Sequence, residues 1–576
     1  MPTALETYEP PLLVSESATP QAQAEPPFWR RHAYGLAVAS AVALGIIIRA
    51  AHVLSSAFPL NDGGLFYTMA QDLQQAGYRL PAFTSYNAAD IPFSYPPLGF
   101  YAAALLDGLT PLSLVDVFRF LPLVATCLTL PAFYFLARSM LGQRLAVVAA
   151  VFAFALIPRS FIWLLMGGGI TRSLGLLFAI LALHQAHMLY TKHKPIFVAS
   201  TAVLAGLTVL SHLETGWFLA FSLALMFAFY GRNRQGVVAS SIVVVATLAI
   251  TAPWWLAVID RHGIDPFLAA QATGGSVFSD GETREEVFLG VARFVSTSEP
   301  LFPIIGSLAL LGMLVSVMRR QLLLPVWWVL IILLDVRAFP TFTAIPIAML
   351  AGIGVVEVLL PLLNRSLVAA REGAPEYLRS DGVAARRWTR RQQEWLPRLV
   401  LASIMVYATF SALTRTDGLG GEAPLLVGLS DEERAAMSWV AKETPEDGRF
   451  LVVPDTGWET AKTAEWFPYL AKRVSVATVQ GQEWLRGNAF TAMVRAHEQA
   501  LECGYRTSSC LDAWSVETGL EFSHVYIGKG EHGQCCWTLH DSLEQDPRYQ
   551  VIYDGPGATI FARLETRLEP SELATR

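Results

Sequence analysis

An aspartate stands where the first long apolar segment of the chain ends. Asp62 precedes a pair of glycines, and an ionised carboxylate at a membrane boundary is costly unless it faces water or a partner. The apolar residues after it recur at helical spacing, at Phe66, Met69, Ala70 and Leu73, and Gly77 ends the pattern. This order predicts a catalytic acid at the start of a short helix lying along the membrane surface. The alternative is that Asp62 only caps that helix.

Further ionisable residues lie at the ends of apolar segments, in connections that hold them at membrane depth. The candidates are Arg172, His212, Glu214, Asp335 and Arg337. A carboxylate can take a proton from a nucleophile or hold a divalent cation, and an arginine can bind phosphate oxygens bidentately. These residue types therefore predict a reaction with a phosphate leaving group, with Mg²⁺ or Mn²⁺ as the cofactor that such a site could use.

Each candidate also has a purely structural interpretation. Arg172 could flank the start of its helix. His212 and Glu214 could bond across a tight turn. Asp335 and Arg337 could form a structural ion pair. The sequence does not choose between these roles and the chemical ones.

Composition defines the class of protein. The 576 residues are 53% hydrophobic and 16% charged, with a mean hydropathy of +0.41, whereas a soluble domain carries about 25% charge. This predicts a polytopic α-helical membrane protein with about eleven transmembrane helices. The apolar runs lie near 34–57, 115–137, 145–165, 171–190, 196–211, 215–230, 237–258, 300–318, 322–335, 340–362 and 398–414. The short apolar segment 98–110 is interpreted as an interfacial or re-entrant helix.

Charge predicts the orientation. Alternate connections between the runs are basic, which favours a cytoplasmic N-terminus in a multi-pass protein of the cell (plasma) membrane. The predicted domains are a disordered cytoplasmic tail at 1–28, a membrane domain at 29–415 with its first outer loop at 59–114, and an extracytoplasmic soluble domain at 416–576. The sequence has no basic patch with interleaved aromatic residues, so it predicts no nucleic-acid partner.

The C-terminal segment is predicted to be a small α/β or α+β domain. Ser430 and Glu433 form a capping-box pattern, strands are expected at 450–454, 475–479 and 524–527, and a hairpin is expected over 551–562. Four cysteines fall in this domain: Cys503, Cys510, Cys535 and Cys536. In an oxidising compartment they predict two disulfides, in one of three pairings that the sequence does not distinguish. The alternative is a metal site, for which two adjacent cysteines are poorly spaced.

The pattern resembles the GT-C superfamily of integral-membrane glycosyltransferases. That superfamily includes protein O-mannosyltransferases, aminoarabinose transferases and oligosaccharyltransferase catalytic subunits. The likeness covers roughly 30–415 and rests on the order acid, aromatic, helix, glycine over 61–77 and on Tyr95-Pro96-Pro97 before a second interfacial helix. A cytoplasmic N-terminus and an outward C-terminal domain also fit.

The resemblance implies an inverting transfer from a polyprenyl-phosphate or polyprenyl-diphosphate sugar donor to an extracytoplasmic acceptor. By position, Asp62 resembles the general base or metal-orienting acid, and Arg337 the arginine that binds the donor phosphate; His212 and Glu214 resemble second-site or metal-binding groups. From their residue types and positions, Arg172 is predicted to bind the donor phosphate as well, and Asp335 to be a possible metal ligand or second acid.

The chain departs from the family in two places. Gly63 follows Asp62 where mannosyltransferases have an Asp-Glu pair, and the C-terminal domain has no Trp-Trp-Asp triplet. Trp466 and Trp484 could line an acceptor groove or belong to the domain core.

Because of these departures, a non-catalytic membrane scaffold is the main alternative function. A lipid or sugar transporter is a weaker one, because the sequence shows neither an inverted repeat nor acids at mid-span. The sugar, the acceptor (protein, lipid or polysaccharide) and the oligomeric state stay open.

Overall fold

A computed structural model of the protein describes residues 28–274, 281–363, 383–414, 425–485, 487–529 and 535–564. The predicted disordered tail lies outside these ranges except for residue 28, and so does 364–382 of the basic loop. Most described residues are helical, and five strands form one sheet near the C-terminal end.

Sixteen helices precede residue 414 among the described ranges. They are α1 (Phe28–Leu54), α2 (Gly64–Gln75), α3 (Leu98–Leu109), α4 (Leu114–Met140), α5 (Arg144–Leu156), α6 (Ile162–Leu165), α7 (Gly169–Lys192), α8 (Pro195–Ser211), α9 (Leu213–Tyr230), α10 (Arg234–His262), α11 (Asp265–Ala272), α12 (Gly281–Ala292), α13 (Ile304–Met318), α14 (Leu323–Leu334), α15 (Phe339–Gly354) and α16 (Val383–Leu413). A π-helical turn, Val355–Leu359, continues α15. The sequence did not predict α11 and α12.

Seven of the described helices are long and apolar enough to cross a membrane, and the number rises to eight if a bent pair counts as one span. Three more predicted spans correspond to the shorter apolar helices α8, α13 and α14. The multi-pass class is confirmed, while the total of eleven and the orientation of the termini stay predictions. Segment 98–110 is the short helix α3, which begins directly after Pro97.

The apolar run predicted at 145–165 is present, but the chain bends by 81° after Leu156, which the sequence did not predict. Pro158 has no N–H to donate to the carbonyl of Phe154, and the hydroxyl of Ser160 donates to that oxygen instead at 2.8 Å. Arg49, fully buried in α1, donates to the carbonyl of Ala155 at 3.0 Å and to the Ser160 hydroxyl at 3.1 Å. These bonds satisfy the polar groups that the bend exposes within the helical bundle.

Arg49→Met is expected to lower the free energy of unfolding by about 1–3 kcal/mol, because the carbonyl of Ala155 loses its donor in a buried position. Thermal unfolding of the purified protein in detergent measures the change. Arg232→Met, at an exposed arginine, is the matched control and should leave the melting temperature unchanged. Equal stability of the two variants would show that the bend does not need the guanidinium.

The C-terminal domain is a mixed sheet covered by helices. Its strands are β1 (Arg449–Val452), β2 (Val474–Ser475), β3 (His524–Gly528), β4 (Tyr549–Asp554) and β5 (Ala558–Arg563), in the order β2-β1-β3-β5-β4. The first three are parallel, and β5 pairs antiparallel with β3 and β4. The helices are α17 (Asp431–Glu443), α18 (Lys462–Ala471), α19 (Ala489–Cys503), α20 (Ser509–Thr518) and α21 (Trp537–Gln545).

The predicted elements of this domain are largely present. The capping box of Ser430 and Glu433 begins α17, and β4 and β5 form the expected hairpin. The strand expected over 475–479 is only two residues long, because the chain turns away from the sheet after Ser475.

Both faces of the sheet are buried, as the alternation of side chains along β1 shows. Leu451 faces a core formed with α19, α20 and α21, whereas Phe450 and Val452 face the opposite side. On that side the core runs through α17 and α18 into helices α2 and α3 of the first loop, where it includes Leu65 and Phe100. The first loop and the C-terminal domain therefore share one hydrophobic core.

Candidate functional site

The chain around Asp62 is held between the membrane helices and the C-terminal domain. The amide of Gly167, in the turn before α7, donates to the carbonyl of Leu60 at 2.8 Å. On the other side, Asn61 donates through its amide group to the carbonyl of Leu425 at 3.0 Å. Asn61 is in the left-handed region (φ 51°), which asparagine tolerates better than most residues. Asp62 thus lies at the junction of the two parts of the protein.

Both carboxylate oxygens of Asp62 have partners from the membrane domain. Oδ1 accepts a hydrogen bond from the amide of Gly168 at 2.8 Å, and Oδ2 forms an ion pair with Arg172. The helix-cap alternative is not what the structure shows, because Gly63 is the N-cap of α2 and no side chain caps it. Arg172 points at Asp62 from the first turn of α7, so it does more than flank that helix.

Glycines permit this close approach. A Cβ at Gly168 would lie 2.6 Å from a guanidinium nitrogen of Arg172 and 2.8 Å from Oδ2 of Asp62. A Cβ at Gly167 would overlap the main-chain carbonyl oxygen of Asp62. The Gly167-Gly168-Gly169 turn is therefore required for the backbone to pack against the acid.

Gly167→Ala is expected to displace Asp62 and to reduce any activity that depends on it about a hundredfold, since a shift of about 1 Å can cost that much. The overlap should also destabilise the fold by about 1–3 kcal/mol. Activity and thermal unfolding are measured in parallel. Gly142→Ala is the control, because a Cβ there has no atom within 4 Å. Normal activity in Gly167→Ala would show that the turn and the acid are not coupled.

The other predicted residues form the neighbouring part of the site. His212 caps α9, and its Nδ1 accepts from the amide of Thr215 at 3.3 Å. The partner of His212 in this turn is therefore Thr215, and not Glu214 as the structural interpretation had it. The positive charges of Arg172 and Arg337 both act on His212 and on Glu214, so each arginine lies within electrostatic range of these two side chains.

Asp335 and Arg337 do not form the ion pair that their structural interpretation requires. Oδ1 of Asp335 accepts from the amide of Ala338 at 3.0 Å, and Oδ2 is buried without a hydrogen-bond partner. Arg337 is exposed, and within the described part of the chain it makes no hydrogen bond or ion pair. Its guanidinium lies 5.5 Å from the ring centroid of Trp458, in a short turn of the C-terminal domain. Arg337 is therefore available to an anionic ligand.

Two acids of the site were missed in the sequence. The charge of Glu459, beside Trp458, acts on Glu214. Glu465, in α18, accepts a hydrogen bond from the amide of Gly63 at 2.8 Å. Burial, and then the negative charge of Asp62, raise the pKa of Glu465 to about 8. The only available signal for Glu465 was its position next to the aromatic residues that begin at Trp466. Trp466 is fully buried and Trp484 is nearly so, and both belong to the core.

The predicted metal-ligand candidates do not cluster as three ligands within the described part of the chain. Among the described residues the one group of three clustered ligand side chains is His540, Asp541 and Glu544, which contains none of the predicted candidates. At Asp62, one carboxylate oxygen accepts from the Gly168 amide and the other pairs with the Arg172 guanidinium. Arg172 therefore supplies positive charge next to the acid in this arrangement.

The cysteines of the C-terminal domain are paired in the structure. Disulfides join Cys503 to Cys510 and Cys535 to Cys536. This pairing leaves no thiolate in the domain for the alternative metal site.

The helical bundle, the first loop that opens with an acid, and the small α/β domain packed on that loop make up a fold that is similar to that of the archaeal oligosaccharyltransferase AglB. The GT-C-like fold class predicted from the sequence is therefore confirmed at the level of the fold.

The chain is similar to one protein family and to several membrane proteins of known structure. A family model described as a 6-pyruvoyl-tetrahydropterin synthase related domain, membrane protein, matches residues 94–364. The structure is similar to the archaeal oligosaccharyltransferase AglB from Archaeoglobus fulgidus (TM-score 0.53, 14% identity), covering 87% of this chain and 70% of that one. It is also similar to ArnT from Cupriavidus metallidurans (TM-score 0.47, 15% identity), covering 92% and 98%. No curated protein matches the chain in sequence.

Proposed function

We propose that the protein is a glycosyltransferase that moves a sugar from a polyprenyl-phosphate or polyprenyl-diphosphate donor to an extracytoplasmic acceptor. The observation that carries this proposal is the ion pair of Asp62 with Arg172, together with the exposed Arg337, whose charge acts with that of Arg172 on Glu214. An acid held in place by one arginine offers a proton acceptor, and a second arginine without a hydrogen bond or ion pair among the described residues offers a phosphate site.

The reaction follows from these roles. Asp62 takes the proton of the acceptor nucleophile as that atom bonds to the anomeric carbon of the sugar. The bond from that carbon to the donor phosphate oxygen breaks, and the electron pair leaves with the phosphate. Attack opposite the leaving group inverts the anomeric carbon. Arg337 stabilises the negative charge that develops on the leaving phosphate.

We assign to Arg172 a different role from the phosphate binding predicted from its residue type and position. Because its guanidinium is paired with Asp62, we assign it to orienting the carboxylate rather than to binding the donor. We assign the donor phosphate to Arg337, whose guanidinium lies 5.5 Å from the ring centroid of Trp458. The AglB structure contains a dolichol-phosphate and an inhibitory peptide, and the shared fold supports a lipid-phosphate donor for this chain.

A transfer assay tests the proposal. The purified protein is incubated with a panel of polyprenyl-phosphate and polyprenyl-diphosphate sugars, with EDTA, Mg²⁺ or Mn²⁺, and sugar release or transfer is measured. Turnover with at least one donor is expected, and EDTA should not abolish it, because arginines supply the positive charge. Absence of turnover with every donor, in a folded protein, would favour the non-catalytic scaffold.

A further inference from the structure

Two consecutive residues of the C-terminal domain bind the two peptide groups that flank Asp62. The indole N–H of Trp466 donates to the carbonyl of Asn61 at 2.8 Å, and the carboxyl of Glu465 accepts from the amide of Gly63 at 2.8 Å. The first peptide group precedes the Cα of Asp62 and the second follows it. Together these bonds fix the backbone from which the acid projects.

The two side chains are themselves fixed. Glu465 is 5% exposed and Trp466 is fully buried. The main-chain carbonyl of Glu465 accepts from the hydroxyl of Tyr86 at 2.6 Å, and a Cβ at Gly64 would overlap that same carbonyl. Helix α18 is therefore packed directly on the first turn of α2, which leaves Glu465 little freedom to move relative to Asp62.

We propose that Glu465 is a positioning residue of the transfer site, which holds the Asp62 loop in its working geometry from the C-terminal domain. The inference rests on the proposed function of Asp62 as the base. It assigns to the C-terminal domain a direct part in assembling the site, besides any part in binding the acceptor.

The protonation state of the Glu465 carboxyl matters as well as its hydrogen bond. The charged and titratable groups that act on it are Asp62, Arg172 and Tyr86. Burial and Asp62 together raise its pKa to about 8, so the carboxyl is neutral near pH 7. Its contribution to stability is full below the unfolded pKa of about 4.5 and is lost as the pH rises through about 8. Above that pH a second negative charge competes with Asp62 for Arg172.

Two substitutions separate the hydrogen bond from the charge. Glu465→Gln keeps an acceptor for the Gly63 amide and cannot ionise, so activity at pH 7 should stay within about threefold of the unmodified protein, and a decline above pH 8 should disappear. Glu465→Ala removes the acceptor and should lower kcat about ten- to a hundredfold, with a smaller change in the KM for the donor. Glu498→Gln, at an exposed acid of the same domain, is the control.

A second measurement does not depend on catalysis. Amide hydrogen exchange over residues 60–70 should become faster in Glu465→Ala and stay unchanged in Glu465→Gln and Glu498→Gln. If the unmodified protein transfers no sugar, the proposed function fails, while the exchange data still test whether Glu465 holds the backbone around Asp62. The inference would be overturned if Glu465→Ala had the same amide exchange, the same kcat and the same pH profile as the unmodified protein.

Discussion

Replacing Asp62 with asparagine is expected to reduce sugar transfer about 10²- to 10⁴-fold without unfolding the protein. Asparagine has the same shape and can still accept from the amide of Gly168 at 2.8 Å, but it cannot take a proton and cannot form an ion pair with Arg172. Initial rates at saturating donor measure the loss in kcat.

Asp90→Asn provides the matched control for this prediction. Asp90 belongs to the same loop, is exposed, and lies in the left-handed region (φ 50°), where asparagine is tolerated. The control should keep full activity, and both variants should unfold at nearly the temperature of the unmodified protein. Full activity in Asp62→Asn would show that Asp62 has no part in the mechanism and would favour the non-catalytic membrane scaffold.

Replacing Arg337 with methionine is expected to lower kcat/KM for the donor about 10²- to 10³-fold, because the developing phosphate charge loses its stabilising partner. Stability should hardly change, since the guanidinium makes no hydrogen bond or ion pair among the described residues and only approaches the ring of Trp458. This separation of activity from stability is what distinguishes a ligand-binding arginine from a structural one.

Arg293→Met is the control for Arg337, because it also removes one exposed positive charge from a connection between spans. Donor-concentration series on both variants give kcat and KM, and thermal unfolding gives stability. A large drop in the melting temperature of Arg337→Met, in proportion to its loss of activity, would contradict a role in donor binding.

Local patterns in the sequence predicted much of the membrane part. Hydrophobic periodicity predicted the helix that follows Asp62 and runs to Gln75, and proline predicted the break before Leu98. Both signals act over only a few residues. The bend after Leu156 was missed although Pro158 signals it, because the apolar run continues on both sides and its buried partner, Arg49, lies in another helix.

The site was predictable only in part, for a related reason. Its membrane residues each stand at the end of an apolar run, so they were visible one by one. Glu465 and Trp458 come from a domain whose sequence looks soluble, and no local pattern shows which of its surfaces packs against the first loop. Pairings across so many residues depend on tertiary packing, which a single sequence does not display.

The core shared by the first loop and the C-terminal domain has a consequence for biogenesis. Helices α2 and α3 are synthesised early, yet the partners of Leu65 and Phe100 in that core, such as Phe450 and Val452, emerge only near the end of translation. Until then the loop exposes apolar surface, which favours aggregation or capture by chaperones. Assembly of the site is therefore a late event, and a polypeptide that stops before α18 would insert into the membrane without becoming active.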